Sequence, residues 1–125
     1  MKLSLVILAG GLGKRLGQIT KQVPKALIDI SGKPFISRQL DYLKHQGFQN
    51  IIICTSYHGD KIRNFVGDGS KFKLNISYSE DGDKLLGTGG SIKKASKKLK
   101  ENFFILYGDT FLPINFSLVE KSFFE

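Results

Sequence analysis

The sequence has no tryptophan, one cysteine, one methionine and three prolines in 125 residues. A single cysteine excludes an internal disulfide, which fits a reducing compartment and makes the cytoplasm the expected location. Cys54 follows Ile51, Ile52 and Ile53 in what reads as strand interior, so it is expected to be a packed thiol rather than a reactive one. No apolar run approaches the roughly 20 residues a membrane span needs, and no membrane partner is expected. Leu3 to Ala9 is too short for a secretion signal and runs into GGLGKR without a small-x-small cleavage pattern. Acidic residues are scarce: 11 against 19 lysines and arginines, a net charge of +8. That imbalance fits a phosphorylated substrate, nucleic acid or an anionic surface. The phenylalanines fall inside strand and helix patterns instead of alternating with lysines as a base-stacking platform requires, which argues against nucleic acid. Internal repeats and low-complexity tracts are also missing.

What is present is alternation. The length suits one modest domain with a real core. Leu3 to Leu8 reads as a first strand, and residues 9–33 as a long irregular stretch rich in glycine. Pro34 can open a helix in which Phe35, Ile36, Leu40 and Leu43 share a face up to Gly47. Asn50 to Thr55 is continuously apolar, as a strand buried on both faces would be. Gly59 to Val66 reads as a short helix, Phe72 to Ser79 as a period-two strand, Glu80 to Gly90 as loop, Ser91 to Leu99 as a helix and Asn102 to Tyr107 as a fourth strand. The order implies an α/β fold, a mainly parallel Rossmann-like sheet flanked by helices. Ligands in such sheets sit beyond the carboxyl ends of the strands, and three unusual segments fall at such ends: Ala9 to Leu16, Gly87 to Gly90, and Gly108-Asp109.

In LAGGLGKRL, residues 8–16, Gly10, Gly11 and Gly13 remove side chains just where Lys14 and Arg15 bring charge. The stretch fits neither the Rossmann fingerprint, since Leu16 stands where a third glycine belongs, nor the P-loop. It can form a nest of backbone N–H groups around an anion, which Arg15 grips with its planar fork and Lys14 supports as a point charge. A surface turn with its cations in water is the alternative. Lys25 follows Pro24 in a loop that must return near the first strand, where a cation could neutralise a transition-state phosphate; taken alone, the residue reads better as a solvated lysine. Gly87 and Thr88 stand in LGTGGS at the mouth of a helix, placed either for an anion or ribose or for plain capping. Asp109, at the tip of an apolar strand, has the setting of a Mg²⁺ ligand or of a turn cap. His45 and His58 have no partner spacing and read as surface residues, and the lysines between 93 and 100 as a solvated helix face.

LAGGLGKRL, PKALIDISGKPFI, LLGTGGSI and ILYGDT, in this order, resemble the nucleotidyltransferases that make sugar nucleotides, over residues 3–112. The resemblance implies the nucleotide-diphospho-sugar transferase type of α/β fold. It implies an enzyme that joins a sugar 1-phosphate to an NTP and releases pyrophosphate. The main chain from Leu8 and Ala9 through Gly10, Gly11, Gly13 and Lys14 would lie against the nucleotide phosphates. Arg15 and Lys25 would stabilise phosphate charge, Gly87 and Thr88 would border base and ribose, and Asp109 would bind Mg²⁺. GTGG followed by YGDT is closest to the mannose- and heptose-1-phosphate guanylyltransferase branch, so GTP is the expected nucleotide.

Two departures stand out. Lys14 replaces the family's usual threonine, and the chain is much shorter than the family's catalytic domains. The resemblance therefore implies that residues 1–125 are the N-terminal nucleotide-binding part, truncated or split, with a homo-oligomer or a complementing chain to complete it. Exposed apolar surface is accordingly expected near Phe116, Phe123 and Phe124, in a segment that reads as a helix just beginning.

Overall fold

The computed structural model describes residues 3–9, 25–56, 59–80, 87–99, 102–108 and 116–124. Four strands form one parallel sheet: β1 (Ser4–Leu8), β4 (Asn50–Thr55), β5 (Asn75–Glu80) and β6 (Phe103–Tyr107), in the order β5-β4-β1-β6. A small antiparallel hairpin, β2 (Asp29–Ile30) and β3 (Lys33–Pro34), stands apart. The helices are α1 (Phe35–His45), α2 (Gly59–Val66), α3 (Gly87–Ser96) and α4 (Phe116–Phe124). The strand–helix alternation read from the sequence is therefore the real organisation.

The central strands are apolar throughout because both their faces are covered. Leu5, Ile7, Ile51 and Ile53 face one layer, in a cluster with Ile36, Leu40 and Leu43 of α1, Ile62 and Val66 of α2, and Phe116 of α4. Val6, Ile52 and Cys54 face the other, against Ala95 of α3. Cys54 is buried, and its thiol donates to the Ser91 carbonyl at 3.8 Å, so it is a packed thiol as expected. Pro34 is the N-cap residue of α1 and not its first turn; Gly47, at φ 96°, follows its C-terminus. His45 is exposed, and its Nδ1 lies 2.8 Å from the Asp41 carbonyl. His58 lies outside the described residues.

Three sequence expectations need correction. The third strand of the sheet, β5, runs from Asn75 to Glu80 and does not start at Phe72. Phe72 instead closes a 3-10 turn, Ser70–Phe72, and packs in the core. The turn is compact because Gly69, at φ 89°, admits no side chain: an added Cβ would lie 2.5 Å from the Leu74 carbonyl oxygen. Second, Gly87 to Gly90 is not loop but the first turn of α3. Third, Phe116 is not exposed: it begins α4 and is 3% exposed. Phe123 and Phe124 are exposed as anticipated, at 61% and 60%.

The two sheet edges differ. Along β5, Lys94 donates to the Glu80 carbonyl and Lys98 to the Tyr78 carbonyl, so part of the expected solvated lysine face closes a strand edge. Arg63 adds an ion pair to Glu80 at 3.0 Å and lies 4.7 Å from the centroid of the Tyr78 ring. The Tyr78 hydroxyl donates to the Gly67 carbonyl at 2.6 Å. Burial raises the pKa of that phenol to about 12, against the opposing pull of Arg63. The sign follows directly. The folded state keeps the proton that the unfolded chain gives up near pH 10, so Tyr78 contributes stability below pH 10 that is lost as pH rises toward 12. Denaturant titrations between pH 9 and 12 should show a shallower alkaline decline for Tyr78→Phe than for the parent chain.

Candidate functional site

Chain order and spatial order together define a switch point. From β1 the chain steps to β4 and then to β5 on one side, and returns across β1 to place β6 on the other. Correspondingly, α1 and α2 pack on one face of the sheet and α3 on the other. In open parallel sheets a crevice forms at the carboxyl ends of the strands at such a point.

The ends of β1 and β6 are in backbone contact. Leu8 pairs with Tyr107, and the Gly108 N–H donates to the Leu8 carbonyl at 2.8 Å. On β1's other side, the Ala9 N–H donates to the Cys54 carbonyl at 2.9 Å. A Cβ on Gly108 would stand 2.8 Å from the Leu8 oxygen and 3.0 Å from the Ala9 Cα. Both neighbours are main chain, so neither can give way without moving the loop. This close approach sets Ala9 beside the residue that precedes Asp109. Gly108→Ala should therefore cost about 1–3 kcal/mol, the range for forcing extra volume into a packed site, measurable as a lower urea midpoint at unchanged slope.

Lys25–Leu27 forms a 3-10 turn whose Ala26 is 3% exposed and whose Leu27 packs on the same cluster as Ala9. The chain then turns through β2 and β3, joined by Ser31 at φ 53° and Gly32 at φ 90°. Positive φ at both central residues is the hairpin geometry that matches strand twist. Arg38 of α1 clamps this turn: Nε donates to the Ile30 carbonyl at 2.9 Å and Nη2 to the Ser31 carbonyl at 3.0 Å. The Phe35 N–H donates to the Ile28 carbonyl at 2.9 Å. The backbone of Lys25 thus begins a braced segment and not a free loop.

Gly87 and Thr88 form the start of α3, one turn before Ser91, whose carbonyl holds the Cys54 thiol near the carboxyl end of β4. The positive end of that helix dipole accordingly faces the end of the sheet where the β1 loop emerges. Of the expected site residues, Leu8 and Ala9 lie at the carboxyl end of β1, Gly87 and Thr88 at the start of α3, and Lys25 at the start of its 3-10 turn. Gly10, Gly11, Gly13, Lys14, Arg15 and Asp109 lie outside the described residues. Among the described residues, no group of three or more His, Cys, Asp or Glu side chains could hold a metal ion.

Two positioning residues escaped the sequence reading. One is Arg38. The other is Gln39, 2% exposed, whose Nε2 donates to the Tyr107 carbonyl at 3.3 Å. It ties α1 to the end of β6, directly before Gly108-Asp109. The signal was there: Gln39 lies three residues after Ile36 and four before Leu43, so the helical period puts this amide on the buried face.

A family model described as nucleotidyl transferase matches residues 4–123. The chain is 40% identical over 115 residues to a D-glycero-alpha-D-manno-heptose 1-phosphate guanylyltransferase from Campylobacter jejuni, covering 90% of this chain and 50% of that protein. It is 38% identical to an N-acetylmuramate alpha-1-phosphate uridylyltransferase from Neisseria meningitidis, covering 90% of this chain and 49% of the relative. Among solved structures, it aligns with HddC from Yersinia pseudotuberculosis complexed with GMP-PN at a TM-score of 0.86 and 38% identity, over 96% of this chain and 53% of that one. The chain spans about half the length of these relatives.

Proposed function

The chain belongs to the nucleotidyl transferase family, and from that premise we propose that it is the nucleotide-binding part of an enzyme that transfers NMP from an NTP to a sugar 1-phosphate, releasing pyrophosphate. The observation that carries this reading is the meeting of β1 and β6 at the switch point. There Gly108 packs bare against Leu8 and Ala9, so the residue before the GGLGKR stretch and the residue before Asp109 lie side by side. GTP is the nucleotide we favour. The GTGG and YGDT stretches support it, as do the guanylyltransferase relative and the likeness to the structure holding GMP-PN. The uridylyltransferase relative makes UTP the competitor to test.

The reaction needs no protein nucleophile. A sugar-phosphate oxygen attacks the α-phosphorus in line, and the pyrophosphate leaves from the opposite side. Alignment and charge stabilisation do the catalysis. The main chain from Leu8 to Gly13 would cradle the phosphates, with Lys14 adding charge beside them. Arg15 and Lys25 would stabilise the charge that builds on the phosphoryl oxygens. Gly87 and Thr88, at the helix start, would border the base and ribose. Asp109 would hold Mg²⁺. One carboxylate at a strand end suits this hard cation, which takes its remaining oxygens from phosphate and water. When bound, Mg²⁺ supplies charge neutralisation at the phosphates.

The second reading is a catalytically incomplete nucleotide-binding piece that needs a partner chain. It is favoured by the half-length match and by the exposed apolar residues at 61% and 60% in α4. Pyrophosphate release from purified protein with GTP or UTP and a panel of sugar 1-phosphates separates the two. Turnover establishes the transferase in this chain alone. Calorimetric NTP binding without turnover establishes the incomplete piece. Absence of NTP binding by calorimetry removes both.

A further inference from the structure

The last peptide unit of β6, between Tyr107 and Gly108, is held from two sides by different elements. Its N–H, on Gly108, donates to the Leu8 carbonyl of β1 at 2.8 Å. In a trans peptide the carbonyl points away from the N–H, so the Tyr107 carbonyl faces away from β1. Among the described residues no strand lies on that side. The carbonyl is met instead by the Gln39 side chain of α1, whose Nε2 donates to it at 3.3 Å. Gln39 is 2% exposed and sits at helical spacing from Ile36 and Leu43, on the face that packs against the sheet. A buried amide is costly unless it is bonded, and an apolar side chain fills such a position at lower cost. The bond itself adds little to net stability, since an amide–carbonyl pair replaces bonds that both groups make to water. What it fixes is orientation. With N–H and carbonyl both held, and with Gly108 bare against Leu8 and Ala9, the plane of the last peptide before Gly108 and Asp109 is set.

We propose that Gln39 is a positioning residue: from α1 it holds the Tyr107–Gly108 peptide, and through it sets how strongly Asp109 takes Mg²⁺ together with the nucleotide. This rests on the reading of Asp109 as the carboxylate that holds the cation. Gln39 touches neither substrate nor cation and acts only through the carbonyl it binds. Its neighbour Arg38 braces the hairpin that follows Lys25, through the Ile30 and Ser31 carbonyls. Adjacent residues of one helix thus steady two segments that the proposed reaction uses. Losing the Gln39 amide leaves metal-free nucleotide binding intact and weakens the part of the affinity that Mg²⁺ adds.

Gln39→Met keeps the length and unbranched shape of the side chain and removes its donor. Residue-resolved hydrogen exchange on the full chain should show the Gly108 amide exchanging at least tenfold faster in this variant, with Ile53, buried at the centre of the sheet, unchanged. Calorimetry supplies the reading that a merely structural role would not move. The factor by which Mg²⁺ strengthens binding of GTP, or of UTP if the parent chain prefers it, should fall at least fivefold. Affinity measured in EDTA should change less than twofold. Gln39→Leu, which also lacks the donor, should give both effects, so that they follow the hydrogen bond and not the shape. Gln46→Met, the same substitution at the C-cap of α1 where the amide oxygen accepts from the Phe116 N–H, should give neither. The proposal is overturned if Gly108 exchange or the Mg²⁺ factor in Gln39→Met stays at the parent value, or if Gln46→Met reproduces the effects. It is overturned too if neither Gln39 variant folds, which makes the amide structural. A parent chain that binds no NTP removes the proposed function and this proposal with it. A parent that binds NTP but gains nothing from Mg²⁺ removes the role of Asp109 and the proposal, and leaves the nucleotide site standing.

Discussion

Replacing Arg15 or Lys25 by alanine is expected to lower kcat for pyrophosphate release by two to three orders of magnitude. That is about 2–4 kcal/mol of barrier, the scale for removing one preorganised charge donor from a developing oxyanion. The effect should fall on kcat more than on KM, because charge spreads onto the phosphoryl oxygens only as the bond to the leaving pyrophosphate stretches. Lys25→Arg should recover little, since a planar fork does not replace a compact ammonium at a fixed backbone position. The position is fixed: Ala26 is buried, and Arg38 holds the following hairpin by two carbonyls. Wild-type kcat in either alanine variant would remove the assigned roles.

The second large effect is structural. Phe48→Ala should destabilise the fold by about 3–5 kcal/mol, the range for deleting a buried phenyl ring. Phe48 is 0% exposed and is the hub of a ring triangle, 5.6 Å from Phe104 and 5.3 Å from Phe116. Phe104 and Phe116 close the triangle at 5.5 Å. All three contacts are edge-to-face, the geometry the aromatic quadrupole favours. Removing the hub frees the two rings that hold α4 on the sheet, so α4 should lose protection before the rest unfolds. Thermal melts should drop by roughly 10–20 °C, taking a few degrees per kcal/mol for a chain of this size. Phe124→Ala, at an exposed site of the same helix, should shift the melt by no more than about 2 °C, a surface-scale change. Equal shifts for the two variants would mean that the triangle does not anchor α4.

The contrast between the two phenylalanines shows where sequence reading stops. Local pattern made the strands legible. Four apolar runs separated by helical periods imply a parallel sheet, and Leu5, Ile51 and Ile53 are buried as that pattern demands. Phe116 was misjudged because its burial depends on Phe48 and Phe104, far away in the chain, and no local period reports such a contact. The start of α3 was missed for a different reason. Glycine costs about 1 kcal/mol in a helix relative to alanine, so GTGG reads as loop. Here Ser91 and Ala95 dock on the sheet and carry the helix back through the glycines. β5 was placed three residues early because Phe72 continues the period of two, although it belongs to the 3-10 turn that Gly69 opens. The candidate site was expected from chemistry, in glycines, cations and one carboxylate, most of which lie outside the described residues. Its bracing was not: nothing in the order of residues says that Arg38 reaches the Ile30 and Ser31 carbonyls, or that Gln39 reaches Tyr107.

One contact has a practical consequence. The Leu3 N–H donates to Glu120 Oε2 at 3.0 Å, and the Phe116 N–H donates to Gln46 Oε1 at 3.0 Å, so α4 lies across the foot of the sheet. Positions 117 apart in the chain are thereby neighbours in space. A short peptide bridge could join them into a ring. Tags, dyes or surface tethers added near either of them would hang from the underside and leave the opposite rim open to small molecules.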